Sequence, residues 1–287
     1  MTGPMPSGTI SAGAMNLIAS LLEQRTGQQI TANRVWRIET ALKTMLRAEG
    51  LESADALVAK LLTRAEPKLA ERVVDALLNQ ETSFFRDAAV LETAADALKS
   101  LQAEVPHRRL RIWSAACATG QEPLSLAMLL AERGMAEGAL APEILASDVS
   151  PSALARARAG RYSQFEIQRG LPVRRMIEWF EGGEGEGEWV AKAELVRRIR
   201  FRRHNLAADP PPPGKFDLVL CRNVLLYFSP SLRTRVFDTL AGAVRPGGLL
   251  VLGAGETVIG QTGQFRPSEQ FRGFYRLADP AACAATG

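Results

Sequence analysis

The amino-acid sequence predicts two folded parts, a small all-α domain followed by an α/β domain with a parallel sheet. Three observations support this fold class. Four stretches with apolar residues at helical spacing fill residues 14–80, and no strand pattern interrupts them. After about residue 106, short apolar runs alternate with helical patterns, which is typical of a parallel sheet. A Gly- and Glu-rich stretch at residues 181–188 breaks this alternation and indicates a β-rich insertion.

The helical part follows residues 1–13, whose Gly, Pro and Ser content predicts disorder. We expect the second helix to begin at an N-cap, Thr31 or Asn33. Each of the four helices has an apolar stripe, and the stripes consist of Ala14, Ile18, Leu21 and Leu22; Val35, Ile38, Leu42, Met45 and Leu46; Leu57, Val58, Leu61 and Leu62; and Leu69, Val73, Val74, Leu77 and Leu78. Residues 14–88 are therefore predicted to form the helical domain.

Residues 89–277 are predicted to form the α/β domain, and residues 278–287 a short tail. Parallel strands are expected at 110–114, 143–147, 216–221 and 249–253, helices at 122–133, 152–159 and 230–244, and a last, antiparallel strand at 274–277. Each parallel strand is followed by polar or Gly-bearing residues. In an open α/β sheet, this edge holds the ligand crevice.

The insertion is predicted at about residues 176–203. Its centre reads EGGEGEGE at 181–188, which cannot pack a core, so a flexible surface loop is the simpler interpretation of this stretch alone. Trp179 and Phe180 on one side, and the alternation of Val196, Ile199 and Phe201 on the other, indicate flanking strands.

Composition restricts the class of protein and its location. The chain of 287 residues is 46% hydrophobic, enough for a sizeable core. No apolar run reaches the roughly 18 residues needed to span a bilayer, and residues 1–10 do not resemble a signal peptide. The three cysteines, Cys117, Cys221 and Cys283, are too far apart for a CxxC metal pattern. We therefore expect a metal-free protein of the reducing cytoplasm.

The charge favours acidic partners, since the net charge is +4 and the pI is about 9.2. Nucleic acid is the obvious alternative partner, but no basic motif with interleaved aromatic residues supports it. Two histidines, His107 and His204, leave little scope for a His-based triad.

Two strand ends carry features of a nucleoside site. The first strand runs into small residues from Ala115 to Gly120, which let a ligand approach the backbone, although an ordinary βα turn is the alternative. The second strand ends at Asp148, whose carboxylate can accept hydrogen bonds from both ribose hydroxyls. The alternative role for Asp148 is to cap the next helix, but Ser150 can fill that role. The phosphate-binding GK[ST] loop is missing. A ligand with a ribose and no phosphate, such as S-adenosylmethionine (SAM), fits this combination.

Two further segments concentrate polar and aromatic residues. Arg222 and Asn223 follow the strand at 216–221, where the crevice is expected, and the alternative is a surface turn with Tyr227 packed beneath it. Residues 80–87 read QETSFFRD and lie between the two predicted domains. Their phenylalanine pair can seal the domain interface while Thr82 and Arg86 contact a ligand.

Together these segments resemble the chemotaxis-receptor glutamate methyltransferase family (CheR). The resemblance covers residues 14–277 and rests on QETSFFRD at 80–87, SAACATGQEPLSLAM at 114–128, SDVSPSALARARAGRY at 147–162, FDLVLCRNVLLYF at 216–228 and PGGLLVLGAGET at 246–257. It implies a Rossmann-like SAM-methyltransferase sheet with a small inserted antiparallel β-subdomain, preceded by a small all-α domain. It also implies methyl transfer from SAM to receptor glutamates, with S-adenosylhomocysteine as the product.

The resemblance assigns the cofactor contacts residue by residue. The family pattern Asn-x-Thr-x-x-x-Arg falls on Gln80, Thr82 and Arg86, so a longer amide replaces the family Asn, and Asn79 stands one position early. The remaining expected cofactor contacts are Ala115, Glu122, Asp148, Asn205, Leu206, Arg222 and Asn223.

Methyl transfer to a glutamate carboxylate needs no general base, because the glutamate side chain in water has a pKa of about 4.3 and is already ionised at neutral pH. Arg86 and Tyr227 are the candidates for holding and aiming that carboxylate. The candidate substrate contacts are Arg34, Arg37, Lys43 and Arg47, which lie off the apolar stripe of the second helix. This face can steer an acidic receptor helix, or it can be a plain solvated face.

The expected partner is the acidic helical region of a chemoreceptor or a related signalling protein, with a tethering peptide on the β-subdomain as a further candidate. We expect a monomer that does not insert into the membrane. Two other functions stay open, a SAM-dependent methyltransferase of another acidic protein or a small molecule, and a non-catalytic SAM-binding signalling module. The basic helical face argues against a small substrate, and the presence of Arg86, Asp148, Asn223 and Tyr227 argues for activity.

Overall fold

The computed structural model describes residues 10–30, 35–63 and 67–278. The chain forms two compact units, Met1–Asn79 with Tyr227–Ser229, and Gln80–Leu226 with Pro230–Gly287. The predicted N-cap at Thr31 or Asn33 lies outside the described residues, as do residues 1–9 of the predicted disordered segment and residues 279–287 of the predicted tail. Within the described ranges, no helix combines the length and the apolar character that crossing a bilayer requires.

The first unit contains the four predicted helices. They are α1 (Ala12–Thr26), α2 (Val35–Glu49), α3 (Ala54–Leu62) and α4 (Pro67–Leu77). Ser11 and Ser53 cap α1 and α3 by accepting a backbone N–H at 3.1 Å. The apolar stripes of the helices meet in one core, whose fully buried members include Ile18, Leu42, Leu57, Leu69 and Val73.

A short segment from much later in the sequence completes this unit. The backbone amide of Gln29 donates to the carbonyl of Tyr227 at 2.8 Å, and Gln28 forms an isolated antiparallel bridge with Phe228. The side-chain amide of Asn79 donates to the hydroxyl of Tyr227, 148 residues away in sequence. Tyr227–Ser229 is therefore held by the residues of the helical unit.

The second unit is built on a seven-stranded sheet. The strands of this unit, seven of which form the large sheet, are β1 (Arg111–Ala115), β2 (Glu143–Asp148), β3 (Arg161–Ser163), β4 (Phe180–Gly182), β5 (Glu188–Ala191), β6 (Ile199–Arg203), β7 (Phe216–Cys221), β8 (Val244–Leu252), β9 (Phe265–Pro267) and β10 (Phe274–Leu277). The large sheet has the order β6-β2-β1-β7-β8-β10-β9, in which the first five strands are parallel and β10 is antiparallel to both of its neighbours, β8 and β9. The predicted parallel sheet and its antiparallel last strand are confirmed.

The second unit also contains helices, which pack on its two sheets. They are α5 (Ala88–Glu104), α6 (Gln121–Glu132), α7 (Pro151–Ala159), α8 (Gln164–Gln168), α9 (Val173–Trp179), α10 (Ala193–Val196) and α11 (Pro230–Ala243). The predicted helices are confirmed as α6, α7 and α11 to within one residue at each end. Helix α5, which the sequence patterns did not reveal, contacts α6 and buries Leu91, Ala94 and Leu98.

The inserted β-subdomain is confirmed, but one of its expected strands belongs elsewhere. Strands β3, β5 and β4 form a three-stranded antiparallel sheet in that order. The strand predicted from Val196, Ile199 and Phe201 is β6, which pairs in parallel with β2 at the edge of the large sheet. Its assignment to the insertion is wrong, because alternation identifies a strand but not its partner.

The Gly- and Glu-rich stretch forms the connection between β4 and β5. The amide of Gly183 donates to the carbonyl of Glu188 at 2.7 Å and closes this loop. Residues 184–187 are exposed. The surface-loop interpretation and the flanking strand at Phe180 are therefore both correct.

Candidate functional site

The carboxyl ends of the central parallel strands meet at one edge of the large sheet. Ala115, the last residue of β1, pairs with Ser147 of β2 and with Cys221 of β7. The residues that follow these partners, Asp148 and Arg222, therefore flank Ala115 on its two sides. The register brings three predicted site residues to one edge, where an open α/β sheet binds its ligand.

Backbone strain is concentrated in the segments that line this edge. Five non-glycine residues of the described chain have positive φ, namely Phe85 (51°), Asp87 (55°), Ala116 (57°), Ala118 (48°) and Asn223 (59°). All five fall in the three motifs of residues 80–87, 114–128 and 216–228. Such conformations cost about 1–3 kcal/mol each and cluster at functional sites. Strain thus marks these motifs independently of their residue types.

The Asp148 carboxylate is held by two backbone amides. Its Oδ2 accepts the N–H of Ala118 at 2.8 Å, and its Oδ1 accepts the N–H of Ser150 at 2.9 Å. The Ser150 hydroxyl accepts the amide of Ala153 at 3.0 Å and caps α7, as expected. The two amides fix the orientation of this carboxylate, which is the kind of group that accepts ligand hydroxyls.

Tyr162 also holds the small-residue loop after β1 in place. The buried Tyr162 hydroxyl donates to the carbonyl of Thr119 at 2.8 Å, and burial raises the pKa of Tyr162 well above its usual range, so it stays a neutral donor. Gly120 has φ of +91°, and a Cβ there would lie 2.8 Å from the Cβ of Ala157. The helix that follows therefore packs close to α7 only because residue 120 is glycine.

Arg222 joins three of the motifs. Its Nη1 donates to Oε2 of Glu122 at 3.0 Å, and its Nη2 donates to Asp87 at 2.5 Å and to the carbonyl of Arg86 at 3.1 Å. The other Glu122 oxygen accepts the hydroxyl of Ser114 at 2.8 Å. Only 2% of the Arg222 side chain is exposed. The predicted cofactor residues Glu122 and Arg222 are thus brought together as a buried ion pair.

The phenylalanine pair of residues 80–87 belongs to the core of the second unit. Phe84 is fully buried and meets the rings of Tyr162 and Phe180 edge-on, with centroid distances of 5.0 and 5.4 Å. The amide of Phe85 donates to the Ser125 hydroxyl at 3.0 Å. These contacts explain why the compact units divide at Asn79–Gln80, whereas the sequence patterns placed residues 80–88 with the helical domain.

The polar members of this segment surround the buried pair. The Gln80 side-chain amide donates to the hydroxyl of Ser150 at 3.0 Å, so it contacts the start of α7 beside Asp148. Arg86 is half-buried, and its Nη1 lies 3.4 Å from the carbonyl of Glu81. Thr82 is half-buried as well. Gln80 therefore reaches the same strand end as Asp148.

Glu256 lies at the same edge of the sheet, and the sequence patterns did not single it out. Its Oε2 accepts the amides of Asn223 at 2.7 Å and Gly253 at 2.8 Å. Its Oε1 accepts the amides of Val224 at 2.9 Å and Leu225 at 2.8 Å. One carboxylate thus fixes the loops after β7 and β8. An acidic residue just after a predicted strand, as at Asp148, was the available sequence signal.

The predicted pair Asn205 and Leu206 follows β6 on the outer side of β2. The amide of His204 donates to the carbonyl of Asp148 at 3.0 Å and extends the pairing of these strands. The side-chain oxygen of Asn205 accepts the amide of Ala207 at 3.0 Å, and Leu206 is buried. The structure therefore brings this pair close to Asp148.

The other predicted residues belong to the first unit. Tyr227 is held there by Asn79, as described above. Lys43 and Arg47 are exposed on α2. Arg37 lies within α2, but its side chain is outside the described part of the structure, and Arg34 lies outside the described residues altogether.

The chain is similar to a family described as the CheR methyltransferase, SAM binding domain, which matches residues 80–274. It is 36% identical over 246 residues to chemotaxis protein methyltransferase 1 of Pseudomonas aeruginosa, covering 84% of this chain and 89% of that protein. It is 35% identical over 263 residues to chemotaxis protein methyltransferase 1 of Vibrio cholerae, covering 91% of this chain and 95% of that protein.

Proposed function

Because the chain belongs to the CheR methyltransferase family and is a SAM-dependent methyltransferase of the chemotaxis type, we propose that it methylates glutamate side chains of a chemoreceptor to give glutamate methyl esters. The observation that carries the proposal is the set of fixed, charged side chains at the end of β2, just after β7 and in the first turn of α6, the helix that follows β1. These are Glu122, Asp148 and Arg222.

The residues at this edge fit SAM. The Asp148 carboxylate is oriented by two amides and can accept ribose hydroxyls. The loop from Ala116 to Gly120 consists of small residues, and three of them, Ala116, Ala118 and Gly120, have positive φ. Small side chains leave its backbone open to close approach. We assign cofactor contacts to Gln80, Thr82, Arg86, Ala115, Glu122, Asp148, Asn205, Leu206, Arg222 and Asn223. When bound, SAM supplies the activated methyl group.

The chain's own task is to position and desolvate the substrate carboxylate. A glutamate side chain with its ordinary pKa of about 4.3 is ionised at neutral pH, so no group of the protein has to remove a proton. The attacking oxygen must be held at about 3 Å from the methyl carbon and in line with the bond that breaks. We assign the charge-assisted contact that holds it to Arg86.

Tyr227 is assigned the second contact with the substrate carboxylate. Its hydroxyl accepts a hydrogen bond from the Asn79 amide, which polarises the O–H group and makes it a better donor. Tyr227 also has its carbonyl bonded to the amide of Gln29. Both contacts support the assignment because an aiming group must be held rigidly.

Two surfaces are proposed to engage the receptor. The exposed Lys43 and Arg47 of α2, with Arg34 and Arg37, are assigned to steering the acidic receptor helices. The outer strands of the inserted sheet, β3 and β4, present backbone groups to which a tethering peptide can add as a further strand. We propose that the protein works as a monomer in the cytoplasm.

Base-labile methyl transfer tests the proposal. The full chain is incubated with methyl-labelled SAM and a receptor signalling fragment, and the labelled product is treated with alkali. We expect label that alkali releases as methanol, and no label on a matched fragment whose acceptor glutamates are replaced by alanine. Label that withstands alkali would show that the acceptor atom is not a carboxylate oxygen. Cofactor binding without any labelled product would favour the non-catalytic module.

A further inference from the structure

A cleft of about 320 Å³ opens in the second unit, away from the proposed cofactor site. It lies between α6, the start of β2 and the segment that joins α10 to β6. Four arginines line it, Arg109, Arg197, Arg198 and Arg200, and its apolar floor includes Leu130 and Ile144. We call it the arginine cleft.

The arginine cleft and the proposed cofactor site lie at opposite ends of the same strands. Glu143, the first residue of β2, lines the cleft, whereas Asp148 is the last residue of β2. Five residue steps at about 3.3 Å each separate them by roughly 17 Å. A ligand in the cleft can therefore be present together with SAM.

The charges of the arginine cleft are not balanced. Among its lining residues, four guanidinium groups face one carboxylate, that of Glu143. Glu143 already accepts from Arg200 at 3.0 Å and from Arg111, outside the cleft, at 3.2 Å. Within the described residues, Arg197 is exposed and its side chain forms no hydrogen bond or ion pair. The surplus of positive charge favours an anionic occupant.

Two of the arginines are held in place by neutral partners. Arg109 donates through Nε to the carbonyl of Ala141 at 2.5 Å. Arg198 lies over the ring of Trp179, with its Cζ 5.5 Å from the ring centroid. These contacts leave the positive charges of both side chains uncompensated while restricting their motion. The cleft is therefore partly organised before any anion binds.

The openness of the cleft indicates what kind of anion it takes. Sites for small molecules enclose most of the ligand surface, but 77% of the Arg200 side chain is exposed. An apolar floor under an open ring of arginines suits an apolar side chain flanked by carboxylates on another protein. Under the proposed function, the substrate is a protein that carries carboxylates.

We propose that the arginine cleft docks an acidic segment of the protein substrate, one that presents carboxylates around an apolar side chain. The inference rests on the proposed function and adds a second substrate contact to it. A simpler account holds that the arginines only protect β6, the edge strand of the large sheet, from pairing with other strands. That account covers Arg200, but it gives no reason for Arg109 and Arg197, which lie outside β6.

Poly-L-glutamate of about 20 residues is the probe. Its binding to the full chain is measured at low salt for wild type and for Arg197→Gln/Arg200→Gln. We expect the variant to bind it roughly five- to tenfold more weakly, the size expected when two exposed ion pairs are lost. The matched control is Arg266→Gln/Arg272→Gln, which removes the same charge at two exposed positions at and beyond β9, on the opposite edge of the sheet. The control should bind as wild type does.

If poly-L-glutamate binding is weakened equally in the cleft variant and the control variant, the effect comes from net charge alone and the proposal is overturned. Pyrophosphate that binds more tightly than poly-L-glutamate, through Arg197 and Arg200, would also overturn it in favour of a small anionic ligand. The methyl-ester assay separates this proposal from the proposed function. If the cleft variant matches wild type both in probe binding and in receptor methylation at subsaturating receptor, the docking proposal is wrong and the proposed function is unaffected. If the wild-type protein forms no methyl ester, the proposed function is wrong, and so is the assignment of the cleft to substrate docking.

Discussion

Glu256 accepts the backbone amide of Asn223 at 2.7 Å and so links the loop after β8 to the loop after β7. Asn223 has φ of +59°, a conformation that an isolated asparagine adopts only at a cost. A Cβ on Gly253 would lie 2.6 Å from Nδ2 of Asn223 and 2.8 Å from Oε2 of Glu256. The loop after β8 therefore supplies both the carboxylate that binds the loop after β7 and, at Gly253, the missing side chain that leaves room for Asn223.

Replacing Glu256 by glutamine tests this link. One carboxylate oxygen becomes an NH₂ group, which cannot accept the hydrogen bonds that two backbone amides now donate to that oxygen. We expect Glu256→Gln to lower the free energy of unfolding by about 1–3 kcal/mol, the cost of leaving buried amides unpaired, and to weaken SAM binding. Denaturant unfolding and calorimetry measure the two effects. Glu269→Gln, at an exposed position, is the matched control and should change neither.

Asp148→Ala tests the predicted ribose contact. We expect SAM and S-adenosylhomocysteine to bind more weakly by about 1.5–3 kcal/mol, the scale of hydrogen bonds to a charged group. Some loss of stability should accompany it, because the amides of Ala118 and Ser150 lose their acceptor. Calorimetry on the folded variant gives the affinity, and the exposed Asp238→Ala serves as the control. Unchanged affinity would remove Asp148 from the site.

Tyr227→Phe separates the aiming of substrate from the binding of cofactor. The hydroxyl is assigned to the substrate carboxylate, so we expect turnover to fall roughly 10- to 100-fold, equivalent to about 1.4–2.7 kcal/mol of barrier, while SAM affinity stays close to wild type. Initial rates at saturating receptor give the first quantity and calorimetry the second. Tyr275→Phe on β10 is the matched control. Equal turnover of Tyr227→Phe and wild type would contradict the assignment.

The basic face of α2 predicts a salt-dependent rate. If Lys43 and Arg47 steer an acidic receptor, the methylation rate at subsaturating receptor should fall as salt rises, because the Debye length shrinks from about 10 Å at 0.1 M to about 3 Å at 1 M. Lys43→Glu/Arg47→Glu should be slow already at low salt and respond less to added salt. Lys99→Glu/Arg272→Glu makes the same charge change at other exposed positions. Parallel rate curves for wild type and the α2 variant would show that this face does not steer.

The buried thiols of Cys117 and Cys221 predict a loss of stability in alkali. Burial raises the pKa of both thiols well above the usual value of 9.0, and nearby carboxylates, Asp148 for Cys117 and Glu256 for Cys221, raise it further. Above that pH the unfolded chain releases protons that the folded chain retains. Stability should therefore fall by about 1.4 kcal/mol per thiol for each pH unit above 9. Denaturant unfolding at about pH 8 and about pH 10 should show a smaller fall for Cys117→Ala/Cys221→Ala, and an equal fall would contradict the assignment.

The sequence predicted the elements whose patterns are local and unambiguous. The run FDLVLC is buried at every position, and the predicted strand has the observed bounds of β7. Helix α5 escaped prediction because much of its buried face is alanine, Ala94, Ala95 and Ala97, which gives a weak apolar stripe. Strand β6 was recognised as a strand, but its partner β2 precedes it by about 50 residues, and no local pattern contains that information.

The sequence predicted which motifs form the candidate site, but not which of their residues contact one another. Strand ends and polar residues located Asp148, Arg222 and Asn223, because the carboxyl edge of a parallel sheet is where ligands bind. The ion pair between Arg222 and Glu122 spans 100 residues. Neither that pairing nor the four amides gathered by Glu256 can be read from spacing, since each depends on which loops the folded sheet brings side by side.

The placement of Tyr227–Ser229 in the helical unit limits how this protein can be taken apart. The chain passes between the two units at three peptide bonds, after residues 79, 226 and 229, rather than at one. A fragment that stops at Asn79 loses Tyr227 and Phe228, and with them the backbone partners of Gln28 and Gln29. The helical unit therefore cannot be exchanged as one continuous stretch of sequence. A chimera that grafts it onto another methyltransferase at a single junction must also carry the three-residue segment that follows Leu226, or it will join a unit that lacks one of its own parts.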